Sequence, residues 1–264
     1  MKKILILLLL PVFIQCSKEP VQPGNSNPTD TTKNPTDTTK NPILEKKCYL
    51  NKTIYSSNKS SFVYERDDQN RTVKSIFITD GINSGYNLYY YNGTELVKVE
   101  NYNKAGEHIS HSTLTRTGSD ILVSSFTKMN NEFKENTRYR YEFDNNKYKK
   151  LIAWSLNHTS GNMDQISTSM YEYSANKLTI TQFDKDNKLF MTAFYTFDNK
   201  KNALLNIPSI IPQLSENNYT QVIYKDKDGK ETYNNAVSYT YNENNYPLTA
   251  TSGGNTTTYE YSCK

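Results

Sequence analysis

The chain has 264 residues, with 31 Lys and Arg against 27 Asp and Glu, a formal charge of +4, 22 Tyr against 10 Phe, and a mean hydropathy of −0.78. Lys2 and Lys3 belong to an apolar leader, so the remainder is nearer neutral with acids and bases interspersed, and the absence of a basic stripe excludes nucleic acid as a partner. So little aliphatic surface for this length argues against a thick globular core and for a thin, broad sheet, in which tyrosine packs its ring and keeps its hydroxyl at a wet rim.

Residues 1–15 read as a signal peptide: Met1-Lys2-Lys3, then an apolar run from Ile4 to Ile14, too short to span a bilayer and interrupted by Pro11. The end of that run at Cys16 resembles a bacterial lipobox, although Gln15 stands where a small residue is usual. Acylation of Cys16 implies a partner, the membrane, held through a lipid anchor; the alternative is an incidental thiol near a conventional cleavage site. Ser17 in place of an Asp, and Lys18-Glu19, point to the outer membrane with surface exposure.

Residues 16–46 form a Pro-, Thr- and Asn-rich linker in which Asn-Pro-Thr-Asp-Thr-Thr-Lys occurs twice, at Asn27 to Lys33 and Asn34 to Lys40. Asp30-Thr31-Thr32 and Asp37-Thr38-Thr39 resemble the short motif that Bacteroidetes O-glycosylate on exported proteins, which makes Thr31 and Thr38 candidate acceptors; a plain solvated spacer is the alternative.

From residue 47 to 264 the pattern is that of one β domain. Tyr139-Arg140-Tyr141-Glu142-Phe143, Tyr171-Glu172-Tyr173, Tyr195-Thr196-Phe197, Val237-Ser238-Tyr239-Thr240-Tyr241 and Tyr259-Glu260-Tyr261 alternate with period two, as half-buried strands do. Asn-, Asp- and Gly-rich turns follow, and a second strand follows several of those, so the unit is strand, turn, strand. The expectation is an all-β fold: a large curved antiparallel meander of repeated hairpins.

Phe62-Val63-Tyr64 with Asn70-Arg71, Tyr141-Glu142-Phe143-Asp144 and Tyr239-Thr240-Tyr241-Asn242 resemble the Tyr-Asp repeats of Rhs-type proteins. The chain is closer still to the tyrosine-rich Bacteroidetes lipoproteins of unknown function, with a cysteine opening the domain and a Tyr-Glu-Tyr-x-Cys ending. That resemblance implies the fold and supplies no activity.

No nucleophile, zinc or phosphate-loop motif occurs, which implies no enzyme and no cofactor. His108 and His111, three apart on a strand, should face opposite ways and make no metal site. Asp226-Lys227-Asp228-Gly229 and Asp184-Lys185-Asp186-Asn187 begin like calcium loops but lack the later ligands, and read as hairpin turns. Ile152, Trp154 and Leu156 share one strand face and read as core, which leaves the lone Trp154 an unlikely sugar platform. Residues 198–218 break the repeat. There Leu204, Leu205, Ile207, Ile210 and Ile211, among prolines, either plug one end of the sheet or contact a partner. Cys48 and Cys263 remain as an even pair in an oxidising compartment and are expected to form a disulfide.

The functional expectation is a non-catalytic envelope lipoprotein, binding or structural, that recognises glycan or protein through its tyrosine-rich face. A glycan hydrolase with an unrecognised carboxylate pair and a half-barrel lipid carrier are the alternatives.

Overall fold

Alternation of Tyr, Leu or Val with Thr, Lys or Glu sets the strands, and the turn residues set their ends. In the computed structural model, residues 46–210 and 213–264 are described, and no helix occurs among them. Cys16, Thr31, Thr38 and Ile211 lie outside the described residues.

The strands are β1 (Cys48–Tyr55), β2 (Ser60–Arg66), β3 (Thr72–Thr79), β4 (Ile82–Asn92), β5 (Glu95–Asn103), β6 (His108–Thr117), β7 (Asp120–Met129), β8 (Glu132–Asp144) and β9 (Lys147–Leu156). They continue with β10 (Met163–Ser174), β11 (Lys177–Asp184), β12 (Leu189–Lys201), β13 (Asn217–Asp226), β14 (Glu231–Ala236), β15 (Ser238–Tyr241), β16 (Pro247–Ser252) and β17 (Asn255–Cys263).

Two turn chemistries recur among the connections. Asn130-Asn131 and Asn145-Asn146 both hold positive φ angles, the conformation that two-residue hairpins need and that asparagine tolerates. The second is a five-residue loop led by Asp67, Asn103, Asp184, Asp226 or Asn242. In each, the leading side-chain oxygen accepts the backbone N–H groups two and four residues ahead. The fourth position holds a residue at positive φ: Asn70, Gly106, Asn187, Gly229 or Asn245. The carboxylates of Asp184 and Asp226 are thus spent on their own backbone, as hairpin turns require.

The meander closes on itself. Each strand from β1 to β13 pairs antiparallel with the next, β15 pairs with β16 and β16 with β17, and β17 pairs with β1 from Cys48 opposite Cys263 to Tyr55 opposite Thr257. Between β14 and β15 the circuit passes along the chain: Val237 alone separates them, and its N–H still donates to Thr220 O on β13 at 2.9 Å. β14 and β15 are therefore two halves of one run, held by β13 on one side and β16 on the other, and the seventeen strands occupy sixteen positions around a ring.

One face of every strand points into the ring, and the alternating tyrosines lie on it. Register carries this face from Tyr139 to Ala153, from Tyr173 to Leu178 and Tyr195, and from Tyr239 to Ala250, Thr257 and Phe62's neighbour row on β1 and β2. Leu178, Ala193, Tyr195, Phe197 and Val222 form a buried cluster there, each large side chain contributing roughly 2 kcal/mol on burial. Trp154 departs from its expected place. Tyr148, Leu151 and Ala153 are the buried residues of β9, because register puts Leu151 and Ala153 opposite Tyr141 and Tyr139 on the inner face. Trp154 is half-buried on the outer wall, in register with Arg138 and Gln165.

Cys48 and Cys263 form a disulfide whose Cα atoms lie 4.0 Å apart. They are a pair that exchanges no backbone hydrogen bonds, the closely approaching kind, flanked by the reciprocal bonds of Lys47 with Lys264 at 3.1 and 3.0 Å. The bridge spans 215 residues, for which the chain-entropy model gives about 5 kcal/mol. The Cys48→Ser/Cys263→Ser double variant should accordingly lose up to about 5 kcal/mol in urea unfolding; an unchanged midpoint would contradict this.

Candidate functional site

The strands alternate direction, so the hairpins fall at two mouths. The chain enters and leaves the barrel at the same mouth, and the long β12–β13 connection crosses that mouth as a strap.

Its base is fixed by Asp198. Oδ1 accepts the N–H of Lys200 at 2.9 Å and of Asn218 at 3.1 Å, while Oδ2 accepts the Asn218 amide at 3.2 Å and the Tyr241 hydroxyl. Buried Asn218 passes the constraint on: its Nδ2 donates to Lys201 O, and its Oδ1 accepts the Ala203 N–H at 3.3 Å. Burial, and then the Asp198 carboxylate, push the Tyr241 phenol up. Further along, Asn206 Nδ2 donates to Cys48 O at 2.9 Å, and Arg66 on β2 bonds Leu50 O at 2.8 Å and reaches 3.5 Å from Asn206 O. On the other side, the Tyr173 hydroxyl on β10 donates to Leu214 O at 3.2 Å. β2 and β10 are eight positions apart either way around the ring, so the strap is tied to opposite walls.

Of the aliphatic residues picked out in this segment, Leu204, Ile207 and Ile210 are half-buried, whereas Leu205 is 39% exposed. Leu214 packs on the buried cluster beneath. The Asp198, Asn218 and Arg66 contacts were invisible in the sequence, where Asp and Asn look the same whether they lead a turn or hold a loop.

Above the strap the lumen changes character. Near the strapped mouth the inner wall is large and apolar: Leu50, Val123, Tyr141, Leu151 and Leu178 are buried. Towards the other mouth, β4 to β10 turn amides and hydroxyls inward. Asn87 faces Asn101 and Asn101 faces Ser110; Ser112 faces Ser125, Ser125 faces Thr137, and Thr137 faces Ser155. Asn101 Nδ2 donates to Ser110 Oγ at 2.9 Å, and the hydroxyls of Ser112 and Ser125 lie 2.8 Å apart. Across the lumen stand tyrosines. Burial, followed by the neighbouring hydroxyls of Tyr233, Tyr224 and Tyr55, pushes the Tyr219 phenol up to about 12, so residues of β13, β14 and β1 converge there.

The outer wall carries an aromatic ladder. Tyr86 stacks on Tyr102 (4.7 Å between centroids), Tyr102 on His108 (5.1 Å) and His111 on Phe126 (4.7 Å), with Phe133 touching both histidines. The two histidines thus share a face, contrary to the parity expected of them. Ser110 faces Asn101 while His108 faces Tyr102, so Ile109 is an extra residue in β6 and reverses the alternation. Among the described residues no cluster of three or more His, Cys, Asp or Glu is placed to hold a metal. Beside the ladder, Glu100 is 8% exposed and accepts the Tyr90 and Tyr102 hydroxyls at 2.6 and 2.8 Å and Lys98 Nζ at 2.6 Å. Burial opposes its ionisation, but Lys98 and the two hydroxyls outweigh it and hold the carboxyl at about 2.

No protein-family model and no curated protein matches this chain. Among solved structures, a porin-like protein from Bacteroides uniformis aligns at 14% identity and a TM-score of 0.53, over 81% of this chain and 96% of its own. A porin-like protein from Bacteroides vulgatus aligns at 8% identity and a TM-score of 0.36, over 82% of this chain and 99% of its own. A protein of unknown function from Bacteroides fragilis covers 42% of this chain and 80% of its own, at 15% identity and a TM-score of 0.29. The first likeness is one of fold: an antiparallel β architecture running the length of the domain.

Two outcomes follow from this geometry. Asp198→Ala should cost about 3 kcal/mol, from the hydrogen-bonding groups it orphans, and should expose the strap to protease near Leu205; an uncut strap would contradict the latch. Glu100 ionises well below its ordinary 4.5, so its contribution to stability is present above 4.5 and lost as pH falls through about 2. The melting-temperature gap between wild type and Glu100→Gln should close over that window, and a constant gap would count against the assignment.

Proposed function

We propose that this chain is a non-catalytic lipoprotein of the cell envelope, anchored by acylated Cys16, whose barrel stands outside the bilayer and works by binding. The observation that carries this reading is the polarity of the wall. Charged residues sit on the outer face across the strands, among them Lys52, Lys74, Glu100, Arg138, Glu142 and Glu260, interspersed with the rings of the aromatic ladder, while the fully buried rings and aliphatic groups Leu50, Val123, Tyr141 and Leu178 point inward. A barrel that spans a membrane has the opposite arrangement, and each Lys or Arg at the midplane of its lipid face costs about 2–4 kcal/mol. Attachment then has to come from outside the barrel, and the leader ending at Cys16 provides for it.

The resemblance to tyrosine-rich Bacteroidetes lipoproteins supports the same reading. It also moves the binding surface: the tyrosine-rich face lines the lumen, so a ligand of that face enters through a mouth. Detergent partitioning of wild type and Cys16→Ala tests the anchor. Wild type should enter the detergent phase and the variant the aqueous phase. Aqueous behaviour of both would refute lipidation, and detergent behaviour of both would place the barrel itself in lipid.

A further inference from the structure

The lumen has two unlike halves: its inward residues are large, buried and apolar in one and mostly small, polar and half-buried in the other. A barrel of eight strands is filled by its own side chains, whereas one of sixteen leaves a channel unless something occupies it. In the strapped half, large side chains and the strap do so. In the other half most inward residues of β4 to β10 are small and polar, with Lys134 and Asp164 at its rim, and Asn87, Asn101, Ser125, Thr137 and Ser155 retain solvent-accessible surface although they face into a closed ring. In the strapped half, Tyr141 is 1% exposed, its hydroxyl buried and without a hydrogen-bond partner. An inward phenol left in that state lacks the bond that buried hydroxyls ordinarily make.

We infer that this half of the lumen is a cup for a neutral saccharide, bound between the amide and hydroxyl wall of β4 to β10 and the tyrosines of β13, β14 and β1. The chemistry of the two walls selects that class. Asn87, Asn101, Ser112, Ser125, Thr137 and Ser155 both donate and accept, as ring hydroxyls do, and the two charges at the rim, Lys134 and Asp164, are of opposite sign and call for no net charge on a ligand. An acyl chain would bury these groups against hydrocarbon, at about 1–3 kcal/mol for each one left unpaired. Tyr224 and Tyr233, stacked 5.1 Å apart, and Tyr219 offer the flat apolar surface on which the C–H faces of a sugar ring pack. The outer aromatic ladder is unsuited to that role, because Lys74 covers the end of the row 5.2 Å from Tyr86 and no facing wall of amides and hydroxyls stands opposite it. This inference rests on the barrel working by binding, and not on the acyl anchor.

Calorimetry on the full-length mature protein in detergent, titrated with cellohexaose, maltohexaose and chitohexaose, tests it. At least one should bind, and Ser125→Phe/Ser155→Phe, which fills the cup, should weaken it at least about tenfold with the melting transition intact. Tyr86→Ala, on the outer wall, should leave affinity within about twofold. If the double variant does not fold, Thr137→Val, which removes one hydroxyl at constant shape, serves instead and should weaken binding about threefold to tenfold. No binding by any of the three saccharides, undiminished binding by a folded cup variant, or loss of binding in Tyr86→Ala would each overturn the cup. Partitioning of Cys16→Ala is unaffected by any of these results, so a failed cup and a failed anchor are told apart.

Discussion

The pairing of the first strand with the last is the constraint on which the rest of the structure depends. An open meander of this length would present two long edges of unpaired N–H and C=O groups, ready to pair with another chain. Joining β1 to β17 removes both. Antiparallel closure also demands an even number of positions, since each strand must oppose its neighbour all the way round. Seventeen separate strands would leave β17 parallel to β1; the continuous run through Val237 makes the count sixteen. The same requirement brings the two ends of the domain to one mouth, where Cys48 and Cys263 face each other.

Closure at this circumference creates the second problem, that of filling the interior. Tyrosine is suited to it because a long ring reaches further into a wide lumen than an aliphatic side chain, and its hydroxyl tolerates the wetter centre. Burial raises the phenols of Tyr64, Tyr141, Tyr195 and Tyr259 far above their ordinary value, so these groups stay neutral in the wall. The strap completes the packing at one mouth, and its fastening reaches the closure itself through Asn206 and the Cys48 carbonyl. At the other end, small polar side chains replace most of the large ones.

Much of this was written locally in the chain. Period-two alternation marked the strands, and the Asx-led turns marked their ends, because both depend on residues a few positions apart. Closure depends on residues more than two hundred positions apart, and nothing local distinguishes a curved meander from a ring. Parity failed at the histidines, and at Trp154 it held but pointed to the wrong face. Ile109 adds a residue to β6 and brings His108 and His111 to one face, and the register of β9 with β8 sets Trp154, with Ile152, opposite the outward Arg138 and Arg140. The aliphatic segment between Ala203 and Ile210 was legible as an interruption. Its anchoring by Asp198, Asn218 and Arg66 was not, since that emerges only when β2, β10 and β12 stand around one mouth. The polar half of the lumen was equally hidden, because serines and asparagines on alternate positions read as solvent-facing until the ring turns them inward.

Amide hydrogen exchange along β1 and β17 tests the closed ring most directly. If the two strands pair as described, the amides of Leu50 to Ile54 and Thr257 to Tyr261 that serve the β1–β17 ladder should exchange as slowly as those in the centre of β8 and β9, whose ladder does not depend on closure. Rapid exchange confined to the β1–β17 ladder, with the β8–β9 amides protected, would show an open sheet with two free edges and contradict the account.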